Sequence, residues 1–217
     1  SRKVFLMGEQ LQEISAIGME SWFRDNLRFK LEDYGFTSNL DNPTIGMGFT
    51  SVWDNKHRRI ILTKREFAPT FRLIDNFGPN GITYDTTITK YRLPGVAGAL
   101  GKIIEWSDTQ YFTPSGWTIS YTPESGTWTS FHDYIPYMYF GTSTDFYSLT
   151  DKYPRPVVSS VSGTTFGNAG IWRHNSETHR GILYQDKTFG DAINHNLFEI
   201  EFIHNENKAV DTLVSNL

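Results

Sequence analysis

The sequence predicts an all-β protein with one short helix near its N-terminus. Residues 117–148 are the clearest sign, because aromatic, β-branched and hydroxyl residues alternate there between two tight polar breaks at 123–126 and 141–145. That pattern is typical of antiparallel strands joined by hairpins. Aromatic residues make up 15% of the chain and charged residues 20%, which suits a β core packed from large rings.

The N-terminal part of the chain predicts a hairpin followed by the helix. Residues 3–7 and 10–17 are short apolar runs separated by a glycine. Residues 18–33 instead carry apolar side chains at i, i+3, i+4 and i+8, which places them on one face of a helix. These apolar residues are Met19, Trp22, Phe23 and Leu27.

Residues 46–106 predict further strands interrupted by loops. We expect strands at 49–53 and 59–64, with Ile60, Leu62 and Lys64 on one face and Ile61 and Thr63 on the other. Segments 82–91 and 102–106 also have strand-like composition. The glycine-rich segment 94–101 is expected to be a long exposed loop.

The C-terminal third predicts another long loop and two more β segments. Residues 152–169 are rich in Pro, Ser and Gly and are expected to be loop, 170–184 is a hairpin candidate, and 198–204 alternates strictly. Three segments share the layout strand, four-residue polar turn, strand, with turns at 54–57, 123–126 and 175–178. This loose repeat favours propeller-like hairpins or blades, and a β-sandwich is the alternative.

Composition limits the classes of function. The net charge of −4 comes with no basic stripe, so no site specific for nucleic acid is expected. The chain has no cysteine, which removes disulfides and thiolate chemistry, and no apolar run of about 18 residues, so no membrane span is expected. We expect residues 1–217 to form a single β-rich module of a larger polypeptide, because the first residue is Ser1.

Histidines give two candidate sites, and neither is convincing. His174 and His179 flank a turn and could share a metal ion, but their spacing is loose and no third ligand is evident. The adjacent His132 and Asp133 suggest the His and Asp of a hydrolase triad. Neighbouring residues of a strand point to opposite faces, however, and no Gly-x-Ser-x-Gly elbow marks a nucleophile.

Carboxylates give no clearer site. Glycoside hydrolysis needs two of them across a cleft, and several are available without any pattern that pairs them. The available ones are Glu105, Asp108, Glu124, Asp133 and Asp145. The sequence therefore assigns no catalytic, cofactor-binding or metal-binding residue and predicts no enzyme and no cofactor.

Several segments together resemble a known family, the tail structural proteins of crAss-like phages of the muzzle or stabilisation type. The segments are 49–65 (FTSVWDNKHRRIILTKR), 117–136 (WTISYTPESGTWTSFHDYIP), 171–175 (IWRHN) and 198–205 (FEIEFIHN), preceded by GMESWF at 18–23. The loops at 94–101, 152–169 and 186–196 have no counterpart in that resemblance.

The resemblance implies an oligomeric virion tail component without catalytic residues. Its partners would be further copies of itself and other phage tail proteins, and its location the virion tail. The alternative from the residues themselves is a carbohydrate-binding or carbohydrate-cleaving β-propeller domain, such as a receptor-binding tail domain that contacts a host-surface glycan, because exposed aromatic residues on hairpins stack on sugars.

Overall fold

A computed structural model gives the structure of this protein. It describes residues 3–8, 10–37, 41–44, 46–96, 99–150 and 170–175, and the backbone of two strands at 201–203 and 213–215. The strands are β1 (Phe5–Met7), β2 (Leu11–Glu13), β3 (Gly48–Asp54), β4 (Arg59–Arg65), β5 (Phe67–Pro69), β6 (Thr83–Asp85), β7 (Lys90–Arg92), β8 (Ile103–Ile104), β9 (Phe112–Pro114), β10 (Trp117–Thr122), β11 (Thr127–His132), β12 (Met138–Gly141), β13 (Phe146–Thr150), β14 (Gly170–Arg173), β15 (Glu201–Ile203) and β16 (Leu213–Ser215). The helices are α1 (Glu20–Asn26), α2 (Phe71–Asn76) and a 3-10 turn at Glu32–Tyr34.

The expectation of an all-β protein is confirmed, since these strands pair antiparallel in five sheets. The largest sheet has six strands in the order β16-β15-β11-β10-β4-β3. Within this sheet, the pairing of β4 with β10 joins the β3–β4 hairpin to the β10–β11 hairpin edge to edge. Two of the three hairpins in the predicted repeat therefore share one sheet, and the described strands form no closed propeller.

Strand β4 confirms the predicted alternation and divides the core into two sides. Ile60 and Leu62 face the α1 side, together with Ile119 of β10 and Trp128 of β11. Ile61 faces the opposite side and packs against the sheet β12-β13-β14. The six-stranded sheet is thus covered on both faces.

Helix α1 buries the predicted apolar face but is shorter than the predicted helix at 18–33. Phe23 is buried against Trp128, with ring centroids 4.7 Å apart, and Trp22 meets Trp117 edge to face at 4.8 Å. The helix ends at Asn26 because the ammonium group of Lys64 on β4 binds the carbonyls of Asn26 and Arg28, each at 2.7 Å. The last carbonyls of a helix have no donor within the helix, so without Lys64 these two would need water as their hydrogen-bond partner.

The sheet β12-β13-β14 lies on the face of β4 away from α1. Phe146 and Tyr139 point from it towards Ile61, and the Tyr139 hydroxyl lies 2.6 Å from Oγ1 of Thr63. The two layers are therefore joined by both apolar contact and a buried hydrogen bond. Strand β14 pairs with β13, and the remainder of the hairpin candidate at 176–184 lies outside the described residues.

A second core holds the part of the chain between β4 and β10. It gathers α2, the β5–β9 pair and the β6-β7-β8 sheet around Leu73, Tyr91 and Phe112. Helix α2 was not predicted, since it has six residues and leaves Phe71 83% exposed. Residues 82–91 form two short strands instead of one. The described residues of 94–101 contain no helix or strand, as expected of a loop, whereas 152–169 lies outside the described residues.

Candidate functional site

Two of the histidines singled out in the sequence meet between the two layers. His132 ends β11, and His174 follows β14 directly. The ring of Tyr134 lies between them, 5.3 Å from His132 and 5.0 Å from His174. The pairing of β13 with β14 brings these distant parts of the chain together.

His174 is held by a serine and an aromatic ring. Its Nε2 lies 2.8 Å from Oγ of Ser148, and its ring stacks on Phe146 at 4.2 Å with an 8° angle between planes. Burial lowers the pKa of His174 to about 4, with nearby Arg59 adding to the shift and Asp54 opposing it. Ser148 is 0% exposed, so this Ser–His contact cannot reach a substrate.

His132 is half-buried beside it, and the Nε2 atom of its ring is fully buried. Its Nε2 has no hydrogen-bond partner among the described residues. Burial lowers the pKa of His132 to about 4, and the charge of Arg59 acts in the same direction. An unpaired imidazole of this kind stays neutral at pH 7, since a charge there would be neither solvated nor paired.

Asp54 supplies the charge at the rim of this cluster. Its carboxylate is 0% exposed and accepts hydrogen bonds from Nδ2 of Asn175 at 2.8 Å, Nε of Arg59 at 2.9 Å and Nδ1 of His57 at 2.9 Å. Burial alone would raise the pKa of Asp54, but these three hydrogen bonds outweigh it and lower the pKa. The contact with Asn175 ties the end of β14 to the end of β3.

The adjacent His132 and Asp133 are not joined by a hydrogen bond in the described part of the chain. His132 is the last residue of β11, and its Nε2 is buried without a hydrogen-bond partner, whereas Asp133 lies just beyond the strand and is exposed. Because Asp133 lies outside the strand, the argument from strand alternation stays a prediction.

Glu124 and Asp133 are too far apart to form a glycosidase pair. Glu124 lies in the turn before β11 and pairs with Arg58, whereas Asp133 lies just beyond the other end of β11. Six strand residues at about 3.3 Å each put them about 20 Å apart, well beyond the separation that glycoside hydrolysis needs. Asp145 pairs with Arg173, and Glu105 pairs with Lys90.

The histidine pair considered in the sequence as a candidate metal site, and not assigned as one, is only half described. His174 binds Ser148, and His179 lies outside the described residues, as do His195 and His204. Within the part of the chain that the structure describes, no group of three His, Asp or Glu residues could hold a metal ion.

A surface that the sequence reading missed lies on the outer side of β12-β13-β14, named here the outer face. Cross-strand register makes two rows of neighbours on it. The rows are Met138–Leu149–Ile171 and Phe140–Tyr147–Arg173. Strict alternation was present in the sequence, but Tyr139 and Phe140 are both aromatic, so the pattern did not tell which face would be buried.

A second apolar surface lies on the β1–β2 hairpin, named here the hairpin face. Phe5 pairs across the hairpin with Glu13, and Met7 with Leu11, so all four share one side. Met7 is 86% exposed and Leu11 65%. Leu6, between Phe5 and Met7 on β1, points the other way, towards the core against α1.

An apolar cavity of about 430 Å³ adjoins the hairpin. Its apolar walls include Phe5, Phe29 and Phe49. The charged residues at its rim are already engaged, Lys3 by Glu13, Glu32 by Arg28 and Asp41 by the backbone N–H of Phe49. The cavity therefore offers apolar contact to a ligand, and the three charged residues at its rim are engaged within the chain.

Comparison of the chain with protein-family models, curated proteins and solved structures gives no match. No helix in the described part of the chain has the length and apolar character needed to cross a membrane. The geometry above is therefore the ground for a functional proposal.

Proposed function

We propose that this chain is a structural component of a bacteriophage virion tail that works by self-association and by contact with neighbouring tail proteins. The observation that carries the proposal is the outer face, an apolar sheet surface turned to solvent. Ile171 is 67% exposed there, Met138 45% and Phe140 41%. Clustered exposed apolar side chains of this kind are where contact with another protein would remove apolar area from water.

The charges on the outer face favour contact with protein. Its one cation, Arg173, donates to Asp145 at 2.7 Å, so the pair adds no net charge to the face. A neutral apolar face gains free energy from any partner that removes it from water, without a penalty for an unpaired buried charge. A second copy of this chain meets that requirement.

The size of the outer face indicates the strength of such a contact. Three strands about 4.8 Å apart and four residues about 3.3 Å apart cover roughly 190 Å². A standard interface buries about 800 Å² on each partner, so this face alone gives a weak contact. Weak contacts suffice in an assembly of many copies, where each chain makes several of them at once.

The resemblance to crAss-like phage tail proteins supports the same proposal. Residues 117–136, the longest matching segment, form β10 and β11 at the centre of the six-stranded sheet. The fold implied here is the layered, sandwich-like alternative, because β12-β13-β14 stacks on the six-stranded sheet; a propeller would need blades beyond those described.

We also propose that the chain works without catalysis. The Ser148–His174 contact is buried, and Glu124 and Asp133 lie at opposite ends of β11. Three of the carboxylates that the sequence offered for chemistry, Glu105, Glu124 and Asp145, instead form ion pairs.

The proposal is tested on purified virions of the phage that encodes this sequence. An antibody raised against the chain should label the tail in electron micrographs, and peptides of the chain should appear in the virion proteome at many copies per particle. Absence of the chain from intact virions would refute the proposal.

The carbohydrate alternative is tested with a glycan array on the same protein. Phe140 and Tyr147 stack on each other at 4.8 Å and 4°, so much of each ring face is already covered. We expect no glycan signal that the change Tyr147→Ala removes. A signal that this change abolishes, while the fold is retained, would favour the receptor-binding alternative.

A further inference from the structure

We propose that the cavity beside the β1–β2 hairpin binds an organic cation with an apolar body, such as an amine on an aromatic or aliphatic stem. This site is independent of the proposed role in a phage tail, because the walls of the cavity and the charges at its rim define it. The volume of about 430 Å³ lies within the range of ligand pockets, which is about 300–1,000 Å³.

Different parts of the chain build the apolar walls of the cavity. Phe5 comes from β1, Phe49 from β3 and Leu62 from β4, whereas Leu27 and Phe29 follow α1. Phe29 is buried, and its ring centroid lies 5.6 Å from that of Phe49. An apolar body that enters the cavity therefore leaves water for contact with side chains that core packing already holds in place.

Asp41 brings an uncompensated negative charge to the rim. Its Oδ1 accepts the backbone N–H of Phe49 at 2.6 Å, and it forms no ion pair within the described residues. A hydrogen bond from an uncharged donor orients the carboxylate and leaves its charge in place. The cation that lines the cavity, Lys3, lies 2.6 Å from Glu13 and is neutralised there.

The second cation near the rim adds no positive charge to it either. Arg28 donates to Glu32, which lines the cavity, at 3.3 Å, and it also pairs with Asp33. One guanidinium group thus serves two carboxylates. A cation bound in the cavity would gain Coulomb energy from this rim, whereas an anion of the same shape would be repelled.

One wall residue already interacts with a cation of the chain itself. The ammonium group of Lys64 lies 4.9 Å from the centroid of the Phe29 ring, within the range of a cation–π interaction. Glu66 neutralises that ammonium group at 2.7 Å, so its repulsion of a second cation is small. Phenyl walls beside carboxylates are the combination that proteins use to bind organic cations, and aliphatic walls would lack the ring quadrupole.

Three probes of similar size separate the contribution of charge from that of apolar contact. They are phenylpropylammonium, phenylpropanol and phenylpropionate, titrated at pH 7 into the isotope-labelled chain and followed by two-dimensional NMR. The amides of Phe5, Leu27 and Phe49 should shift, which places the probe in the cavity. We expect a dissociation constant of about 1 mM for the ammonium probe, weaker binding of the alcohol, and binding of the propionate weaker by about tenfold or more.

Salt and three variants test the role of each wall and charge. Raising the salt concentration should weaken binding of the ammonium probe and not of the alcohol. Asp41→Asn keeps an oxygen for the N–H of Phe49 but removes the charge, so it should weaken the ammonium probe by about threefold to tenfold and leave the alcohol unchanged. Phe5→Ala should weaken all three probes, because half of this side chain is already exposed and its loss leaves the fold intact.

Phe71→Ala is the matched control, an exposed phenylalanine on α2 that does not line the cavity, and it should change no affinity. Circular dichroism with thermal melting checks that each variant is folded. The proposal is overturned if the propionate binds as tightly as the ammonium probe, if no probe shifts the cavity amides at about 10 mM, or if Asp41→Asn leaves the affinity for the ammonium probe unchanged. Detection of the chain in virions does not depend on any of these results, so the two proposals can fail separately.

Discussion

Replacing Lys64 by Met should destabilise the fold far more than a surface substitution of the same kind. Lys64 is 0% exposed on β4, and its ammonium group donates to Asn26 O, Arg28 O and Oε2 of Glu66, each at 2.7 Å. Three donors thus meet three acceptors. Oε1 of Glu66 in turn accepts the backbone N–H of Lys30, so this one cluster holds the end of α1 to the sheet.

The magnitude follows from what Lys64→Met leaves behind. The Glu66 carboxylate, 2% exposed, would lose its cation, and two backbone carbonyls would lose a buried donor. Breaking a buried ion pair from one side costs about 3–5 kcal/mol. For a chain of this length, each kcal/mol lowers Tm by about 2–4 °C, so we expect a fall of about 6–20 °C.

Chemical denaturation monitored by tryptophan fluorescence measures this loss of unfolding free energy. Lys3→Met is the matched control, because its pair with Glu13 is at the surface and should contribute no more than about 1 kcal/mol. Adding Glu66→Gln to Lys64→Met should recover part of the loss, since the uncompensated charge is then gone. A loss below about 1 kcal/mol for Lys64→Met would refute the reasoning.

Three further predictions concern the site between the layers and one tight turn. The folded-state pKa of about 4 for His132 and His174 lies below the usual 6.5. Their contribution to stability is therefore present above pH 6.5 and should be lost as pH falls towards 4, by up to about 3 kcal/mol each. Denaturation midpoints at pH 7 and pH 4.5 measure this loss, and a His132→Phe variant with unchanged pH dependence would contradict it. Asp54→Ala should cost about 2–3 kcal/mol because it leaves the partly buried Arg59, Asn175 and His57 without their acceptor, and an effect within 0.5 kcal/mol, roughly that of a surface substitution, would count against the network. Gly46→Ala should lower Tm, because φ is +153° and the added Cβ would lie 2.5 Å from Nε1 of Trp106; an unchanged Tm would show that the indole can move aside at no cost.

The sequence predicted the local part of the fold well because hairpins and helix faces depend on residues that are close together in the chain. The apolar spacing of Met19, Phe23 and Leu27 located the buried face of α1, and alternation located Ile61 opposite Leu62. The length of the helix could not be read in the same way. The ammonium group that ends it comes from β4, about forty residues along the chain.

The candidate site was harder to predict because it depends on pairing between distant segments. His132 and His174 were each visible as histidines, but their meeting requires β13 to pair with β14 across residues 151–169. Composition misled at the outer face for a related reason. Tyr139 and Phe140 are both aromatic, and only the packing against Thr63 decides which of them is buried.

A cryo-EM map of the assembled tail tests the account's central claim most directly. We predict that the outer face, including Ile171 and Phe140, is covered in the assembly by an adjacent copy of the chain or by a neighbouring tail protein. A map in which the outer face of every copy is turned to solvent, or in which the chain contacts no other copy, would contradict it.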